Sequence, residues 1–405
     1  MFSKENNQLL MRILFAITVF YPSRIYGGPA TVAMNQAREL VARGHEVNVV
    51  TSNVLSLNPR QRLSKGEMEV DGVHVKYFPT WIMLPRFPAL ISFELWKWLK
   101  DSIKFYDVVH VHFARDWIPV AVANAAIKQK VPVFLQPHGM LGRTEGLRTT
   151  FDKLLIRRML ERATGVLSLQ ETEQRNIASI APNARTIIVP NGVTVQTSGR
   201  FWTVDSLNSR TVLFLARLHP HKRVQDLIDA VGLLRDRGLL LQLRIVGPDE
   251  GDLPVVHARI RKLRLPKQVE IIGPVPPERV SEELLRASLY VLPSISETFP
   301  MAALEAMALG VPTIVTEGIQ IRELLERHRA AMVVPSSPLS IADAIQELLE
   351  TPGLALQLSI NGRRLIASEL TLDKVIHRLE NIYQRPEKMS GTSLGGFRLS
   401  HGKSI

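Results

Sequence analysis

Glu297 and Glu305 stand eight positions apart in SISETFPMAALEAMALGVP (Ser294–Pro312). Pro300 between them suits the first turn of a helix over roughly residues 301–309, and Gly310 suits the position just past its end. Glu297 then sits ahead of the helix's amino end. Glu305 lies further along it, where its carboxylate can accept hydrogen bonds from a diol. The free N–H groups and dipole at the helix mouth favour a phosphate. Carboxylates are poor neighbours for a phosphate, so such a site needs cations. ARLHPHKRVQDLI (Ala216–Ile228) supplies Arg217 and, five residues later, Lys222. The planar arginine fork and the lysine point charge can together hold a diphosphate. Taken singly, each group also has an ordinary reading: a solvated helix residue, a loop charge, two surface cations.

These groups need a scaffold that brings loops together, and the sequence describes one. Short apolar runs rich in β-branched residues recur. The first half has RILFAITVF (Arg12–Phe20), EVNVVTS (Glu46–Ser52), DVVHVHF (Asp107–Phe113), PVFLQPH (Pro132–His138) and TIIVPNGV (Thr186–Val193). The second half has TVLFLARL (Thr211–Leu218), LQLRIVGP (Leu241–Pro248), VEIIGPV (Val269–Val275), LYVLPS (Leu289–Ser294) and PTIVTE (Pro312–Glu317). Apolar runs without clean alternation suit strands buried on both faces of a parallel sheet. Amphipathic stretches such as Pro29–Arg43 and Val224–Leu234 separate many of them. Strand–helix alternation predicts an α/β fold of two doubly wound, Rossmann-like domains. We expect the first over 1–195, a polar linker over 196–210 and the second over 211–370. A final helix over 371–385 should pack back on the first domain, followed by a disordered tail over 386–405. In such sheets ligands bind beyond the carboxyl ends of the strands, here in a cleft between the domains.

Bulk composition narrows the classes. The 405 residues exceed one comfortable core, and 45% are hydrophobic. The absence of cysteine rules out disulfides and thiolate metal sites and fits a reducing compartment. The net charge of +12 suits nucleic acid, an anionic membrane, phosphorylated substrates or simple solubility. The charge is scattered and no nucleic-acid-binding pattern stands out, so no nucleic-acid partner is expected. The N-terminal MFSKENNQLLMRILFAITVFYPS imitates a signal peptide, but Arg12 interrupts its apolar run and no A-x-A site follows, so Ile13–Phe20 reads as a buried first strand. The expected location is the cytoplasm, since no run reaches the ~18 apolar residues of a membrane span.

Further candidates lie at other strand ends. Gly27 and Gly28 precede the first helix and allow either a tight turn or a close backbone approach to a ligand. The lack of G-x-G-x-x-G argues against a dinucleotide site. His138 in QPHGML follows a strand, where a structural role is the ordinary one. His110 and His112 share a strand face but lack a third ligand, PDEGD (Pro248–Asp252) is a loose acidic loop, and no D-x-D motif occurs. No metal or other cofactor is therefore expected.

ARLHPHK, RIVGPDEGD, VEIIGPVP and SISETFPMAALEAMALGVP, in this order, resemble the carboxyl-terminal half of the retaining GT-B glycosyltransferases of family 4. The E-x7-E motif of that family matches Glu297 and Glu305, and its basic pair matches Arg217 and Lys222. YGGPATVAMNQARELVARGHEVNVVTS, YDVVHVHF, QPHGML and VPNGV resemble the amino-terminal half, so the likeness spans roughly Met11–Gln384. It implies that Arg217 and Lys222 grip the diphosphate of a nucleotide-sugar donor and that Glu297 meets the transferred sugar. Glu305 would bind the ribose, with Phe299, Pro300, Met301 and Ala302 completing the phosphate site. Gly27, Gly28, Gly247 and Val275 would line the donor site, and His138 would stand near the sugar. Ala216 and Thr298 depart from the family's usual glycines. TEGIQIRELL (Thr316–Leu325) has one glycine where the family often has two.

The implied reaction moves a glycosyl group to a hydroxyl with retention, in bacterial-type polysaccharide or glycolipid assembly. The acceptor would be a saccharide or a lipid-linked saccharide. Alternatives are another GT-B-like enzyme, such as a sugar-nucleotide epimerase or a phosphorylase, or an inactive donor-binding subunit. Thr80–Lys100 holds three of the five tryptophans, and Gly142–Arg162 holds six basic residues. Together they read either as a packed helix beside a solvated basic helix, or as a face resting on an anionic membrane at the inner side of the plasma membrane.

Overall fold

The computed structural model describes residues 9–23, 28–57, 60–64, 66–84, 87–141, 155–194 and 199–386. The chain divides into two compact units, residues 1–190 with 375–405, and residues 191–374.

The first unit is built on β1 (Arg12–Ala16), β2 (Glu46–Ser52), β3 (Val54–Leu57), β4 (Arg60–Arg62), β5 (Glu67–Val70) and β6 (Val73–Phe78). After these come β7 (Trp81–Leu84), β8 (Phe87–Ile91), β9 (Val108–His112), β10 (Val133–Gln136), β11 (Gly165–Ser168) and β12 (Thr186–Ile188). Its sheet runs β12-β11-β10-β9-β1-β2-β6-β5 and is parallel except for β5 against β6. Ile13 to Ala16 of β1 are fully buried, as are Val109 and Val111 of β9. Helices on both faces explain why these strands carry unbroken apolar runs. Each such Ile, Leu, Phe or Val side chain contributes about 1.5–3 kcal/mol by leaving water.

The second unit contains β13 (Thr211–Leu215), β14 (Gln242–Val246), β15 (Val269–Gly273), β16 (Leu289–Leu292), β17 (Thr313–Thr316) and β18 (Met332–Val334). All are parallel, in the order β15-β14-β13-β16-β17-β18. Counted along the chain this is 3-2-1-4-5-6, the doubly wound order, with the reversal between β13 and β16. The α/β architecture expected from the sequence, with a largely parallel sheet in each unit, is the one observed.

Three local expectations need correction. Residues 199–210 are not a free linker. Trp202 is buried, its N–H reaching Leu309 O at 2.9 Å and its indole N–H reaching Ser288 O at 3.0 Å. A short 3-10 helix follows at Val204–Ser209, so this stretch packs as part of the second unit. The aromatic anchor outweighs its polar surroundings. Residues 80–100 do not form one packed helix: β7 and β8 make a hairpin before the Phe93–Ser102 helix, because prolines at 85 and 88 oppose a continuous helix. The strand expected over Ile13–Phe20 ends at Ala16.

The last helix, Leu372–Gln384, contributes Glu380 and Tyr383 to the first unit. Buried Glu380 pairs with Arg43 at 2.8 Å and with His45 at 3.0 Å, and the Tyr383 hydroxyl meets His110 Nδ1. The expected tail lies almost wholly outside the described residues, as do residues 142–154 of the basic stretch. Among the described residues no helix is long and apolar enough to cross a membrane.

Candidate active site

In the second unit the candidate groups gather at the carboxyl ends of the strands, on both sides of the β13/β16 reversal. After β13, Ala216 N–H bonds to Val246 O at 3.0 Å and Leu218 N–H to Pro248 O at 2.8 Å. This holds the Arg217 backbone against the end of β14. A 3-10 turn, Pro220–Lys222, comes next, and Arg223 with φ 53° starts the Val224–Asp236 helix. After β16, Ile295 N–H bonds to His221 O at 3.1 Å, tying the loop that carries Glu297 to the loop that carries Lys222. Gln320 N–H bonds to Glu297 O at 2.8 Å, and a bridge joins Glu297 to Ile319. The loops leaving β13, β16 and β17 are thus laced together through backbone.

The side chains follow from that lacing. Lys222 Nζ forms an ion pair with Glu297, with both side chains largely buried. One guanidinium nitrogen of Arg217 sits 2.8 and 2.9 Å from the two carboxylate oxygens of Glu250, and this pair is far more exposed. Glu250 belongs to the acidic loop after β14. Phe299 is buried, and Pro300 caps the eight-residue Met301–Ala308 helix. That helix has neither a side-chain cap nor an acidic residue in its first turn. Gly310 follows it with φ 82°.

Glu305 is half-buried on this helix, and burial pushes its pKa up to about 7. Tyr290 of β16 is fully buried. Burial raises its pKa, and the negative charges of Glu297 and Glu305 nearby add to that. Its hydroxyl donates to Leu215 O at 3.1 Å, bridging the reversal just ahead of Arg217. A carboxyl whose folded pKa is raised contributes stability below its unfolded pKa and loses it as pH rises through about 7. Glu305→Gln is therefore expected to match the wild type near pH 4.5 and to be more stable at pH 8, by about 2 kcal/mol. Urea midpoints at the two pH values check this, and a gain independent of pH contradicts it.

Two glycines are demanded by close approach. Gly247 has φ 145°, and a Cβ there would lie 1.9 Å from Ala216 O. At Gly318 a Cβ would lie 2.1 Å from Ile295 O. Val275, half-buried, follows β15 just after Gly273, whose carbonyl accepts the Gly247 N–H at 2.9 Å.

The remaining candidates belong to the first unit. Gly27 lies outside the described residues. Gly28 opens the Gly28–Ala42 helix without a positive φ, and a Cβ there would meet no atom within 4 Å, so the fold itself does not require glycine. His138 is buried with φ 53°, and its Nε2 lies 2.8 Å from His112 Nδ1. Burial lowers the pKa of His138 to about 3 and that of His112 well below its usual value, which keeps both rings neutral. Sequence reasoning did not single out Tyr290 or Glu250, and only Glu250 carried a signal, as one of several acids in PDEGD.

Two family models meet within the chain: the one described as Glycosyltransferase Family 4 matches residues 26–197, and Glycosyl transferases group 1 matches residues 201–365. The chain belongs to the GT-B glycosyltransferases of family 4. Among its relatives, an uncharacterized glycosyltransferase of Methanocaldococcus jannaschii is 25% identical, over 93% of this chain and 98% of that one. Phosphatidyl-myo-inositol mannosyltransferase of Mycobacterium tuberculosis is 25% identical, over 82% of this glycosyltransferase and 86% of the relative. The crystal structure of Anabaena HepE in complex with UDP-glucose shares the fold, with a TM-score of 0.70 at 17% identity, over 92% and 99% of the two chains.

Proposed function

We propose that this glycosyltransferase moves a sugar, with retention at the anomeric carbon, from a nucleoside diphosphate sugar to a hydroxyl acceptor. The observation that carries the proposal is the meeting, at one strand-order reversal, of Arg217, the Lys222–Glu297 pair and an uncapped helix mouth. Donor binding is further supported by HepE, whose structure holds UDP-glucose.

In the proposed reaction the bond from C1 to the leaving phosphate oxygen breaks and a bond from C1 to the acceptor oxygen forms on the same face. The acceptor's proton passes to the departing phosphate. Charge accumulates on that phosphate, and Arg217, Lys222 and the N–H groups of Met301 and Ala302 offset it. Glu297, held by Lys222, meets the transferred sugar, and Glu305 accepts hydrogen bonds from the ribose. Gly247, Val275 and Gly28 are proposed to line the donor site, and His138 to stand near the transferred sugar. The cations and the helix dipole take the part a metal would play, so the proposed reaction uses neither metal nor other cofactor.

The proposed acceptor is a saccharide or lipid-linked saccharide of polysaccharide or glycolipid assembly, as the mycobacterial relative's name suggests for that protein. The proposed location is the inner face of the plasma membrane. Its support is the outward face of the Phe93–Ser102 helix, where Phe93 and Trp96 are exposed and Lys100 Nζ lies 3.4 Å over the Trp96 ring. Flotation on anionic vesicles tests that location, and salt-insensitive lack of binding ends it.

A panel of UDP-, GDP- and ADP-sugars, assayed with and without chelator, tests the reaction itself. Release of one nucleoside diphosphate, undiminished by chelator, with a new glycoside of retained configuration is the expected result. Tight nucleotide binding without any release would instead identify a donor-binding subunit.

A further inference from the structure

The turn leaving β10 uses backbone that histidine rarely adopts. His138 has φ 53° and Gly139 has φ 77°, and Met140 N–H closes the turn on Pro137 O at 3.0 Å. Left-handed backbone at a non-glycine residue costs about 1–2 kcal/mol and persists only where surrounding groups hold it.

The group that holds it is a buried carboxylate. Glu173 lies in the first turn of the Glu171–Ile180 helix and is 2% exposed. One of its oxygens accepts the Gly139 N–H, and the other accepts the Leu169 N–H at 2.6 Å. A single side chain therefore joins the loop after β10 to the loop after β11. Its own helix does not need it as a cap, because Gln170 Oε1 already accepts the Glu173 N–H at 2.7 Å. Burying a carboxylate is costly, and burial pushes its pKa up despite the two N–H donors. The gain that offsets this cost is a defined turn.

That turn governs one ring. His138 Nε2 is engaged by His112, and His138 Nδ1 has no hydrogen-bond partner among the described residues. In either tautomer Nδ1, itself buried, is the ring atom without a partner among the described residues.

We infer that Glu173 is a positioning residue, which fixes the left-handed His138–Gly139 turn and so sets the direction of the His138 ring. The inference rests on the role proposed above for His138.

Glu173→Gln is nearly isosteric and puts an amide NH2 against one of the two N–H donors. It is expected to lower kcat by about 10–100-fold with donor KM changed less than about threefold, the scale of a misplaced reacting group. In the His138→Ala background it should lower kcat no further, and additive losses overturn the inference. Ring 15N spectra of histidine-labelled protein give a readout that does not depend on turnover: His138 signals move in Glu173→Gln while His110 signals stay. Unmoved His138 signals overturn the inference. If His138→Ala keeps wild-type kcat, the role proposed for His138 fails, and the ring spectra still decide whether Glu173 holds the turn. Should Glu173→Gln not fold, Gly139→Ala strains the same turn at φ 77° and is expected to produce the same kcat loss and ring shifts. Wild-type kcat and ring signals in that variant overturn the inference.

Discussion

Arg217→Ala is expected to lower kcat by about 100-fold or more with the donor saturating, the scale set by losing one preorganised donor to a developing anion. The side chain is a clean target. Its pair with Glu250 leaves the arginine about half exposed, so losing that pair costs at most about 1 kcal/mol and the fold should survive. Arg217→Lys keeps the charge but loses the planar fork, and is expected to recover only part of the loss. Lys222→Ala should reach a similar fall in kcat and differs in its effect on stability. Its partner Glu297 is only 13% exposed, so removing the lysine strands a largely buried carboxylate and lowers stability as well. Initial rates at saturating donor, paired with urea unfolding of each variant, separate the two effects. An Arg217→Ala enzyme turning over at near wild-type rate under those conditions removes the phosphate role and most of the proposed mechanism with it.

Gly247→Ala is expected to cost about 3–5 kcal/mol of stability, the upper range for a single substitution. Two independent penalties combine. The backbone at φ 145° is open to glycine and strained for any residue with a Cβ. The added carbon would also lie 1.9 Å from Ala216 O, a backbone atom in a strand end, which has no flexible way to yield. Relief can come only by parting the ends of β13 and β14, which breaks the Ala216–Val246 and Leu218–Pro248 bonds that hold Arg217. The variant that does fold should therefore lose turnover as well. Equilibrium urea unfolding checks the first effect, and a midpoint close to wild type contradicts it. Gly28→Ala is the matched control for stability, because that site is open and free of positive φ.

The strands were legible because burial on both faces of a parallel sheet demands runs that little else demands. All ten quoted apolar runs contain an observed strand, and EVNVVTS matches β2 residue for residue. β5 offered no such run, because its EMEV alternation turns one face to water. The helix after β16 was also readable, since proline and glycine punctuate Met301–Ala308 on either side.

The residue types needed for a phosphate-binding site, and their order at strand ends, were determined by sequence alone, as was the family likeness that those motifs carry. Which charge meets which was decided only by tertiary structure. Lys222 and Glu297 are 75 positions apart and Arg217 and Glu250 are 33 apart. Their pairing depends on β13 lying beside both β14 and β16, a strand order that no local pattern encodes. The same holds for Trp202, hidden in a polar stretch, and for Glu173, whose carboxylate reaches Gly139 across 34 positions. Local propensity and periodicity act over a few residues. A buried carboxylate, a glycine pressed on a distant carbonyl and a shifted pKa arise from neighbours that only the packed chain supplies.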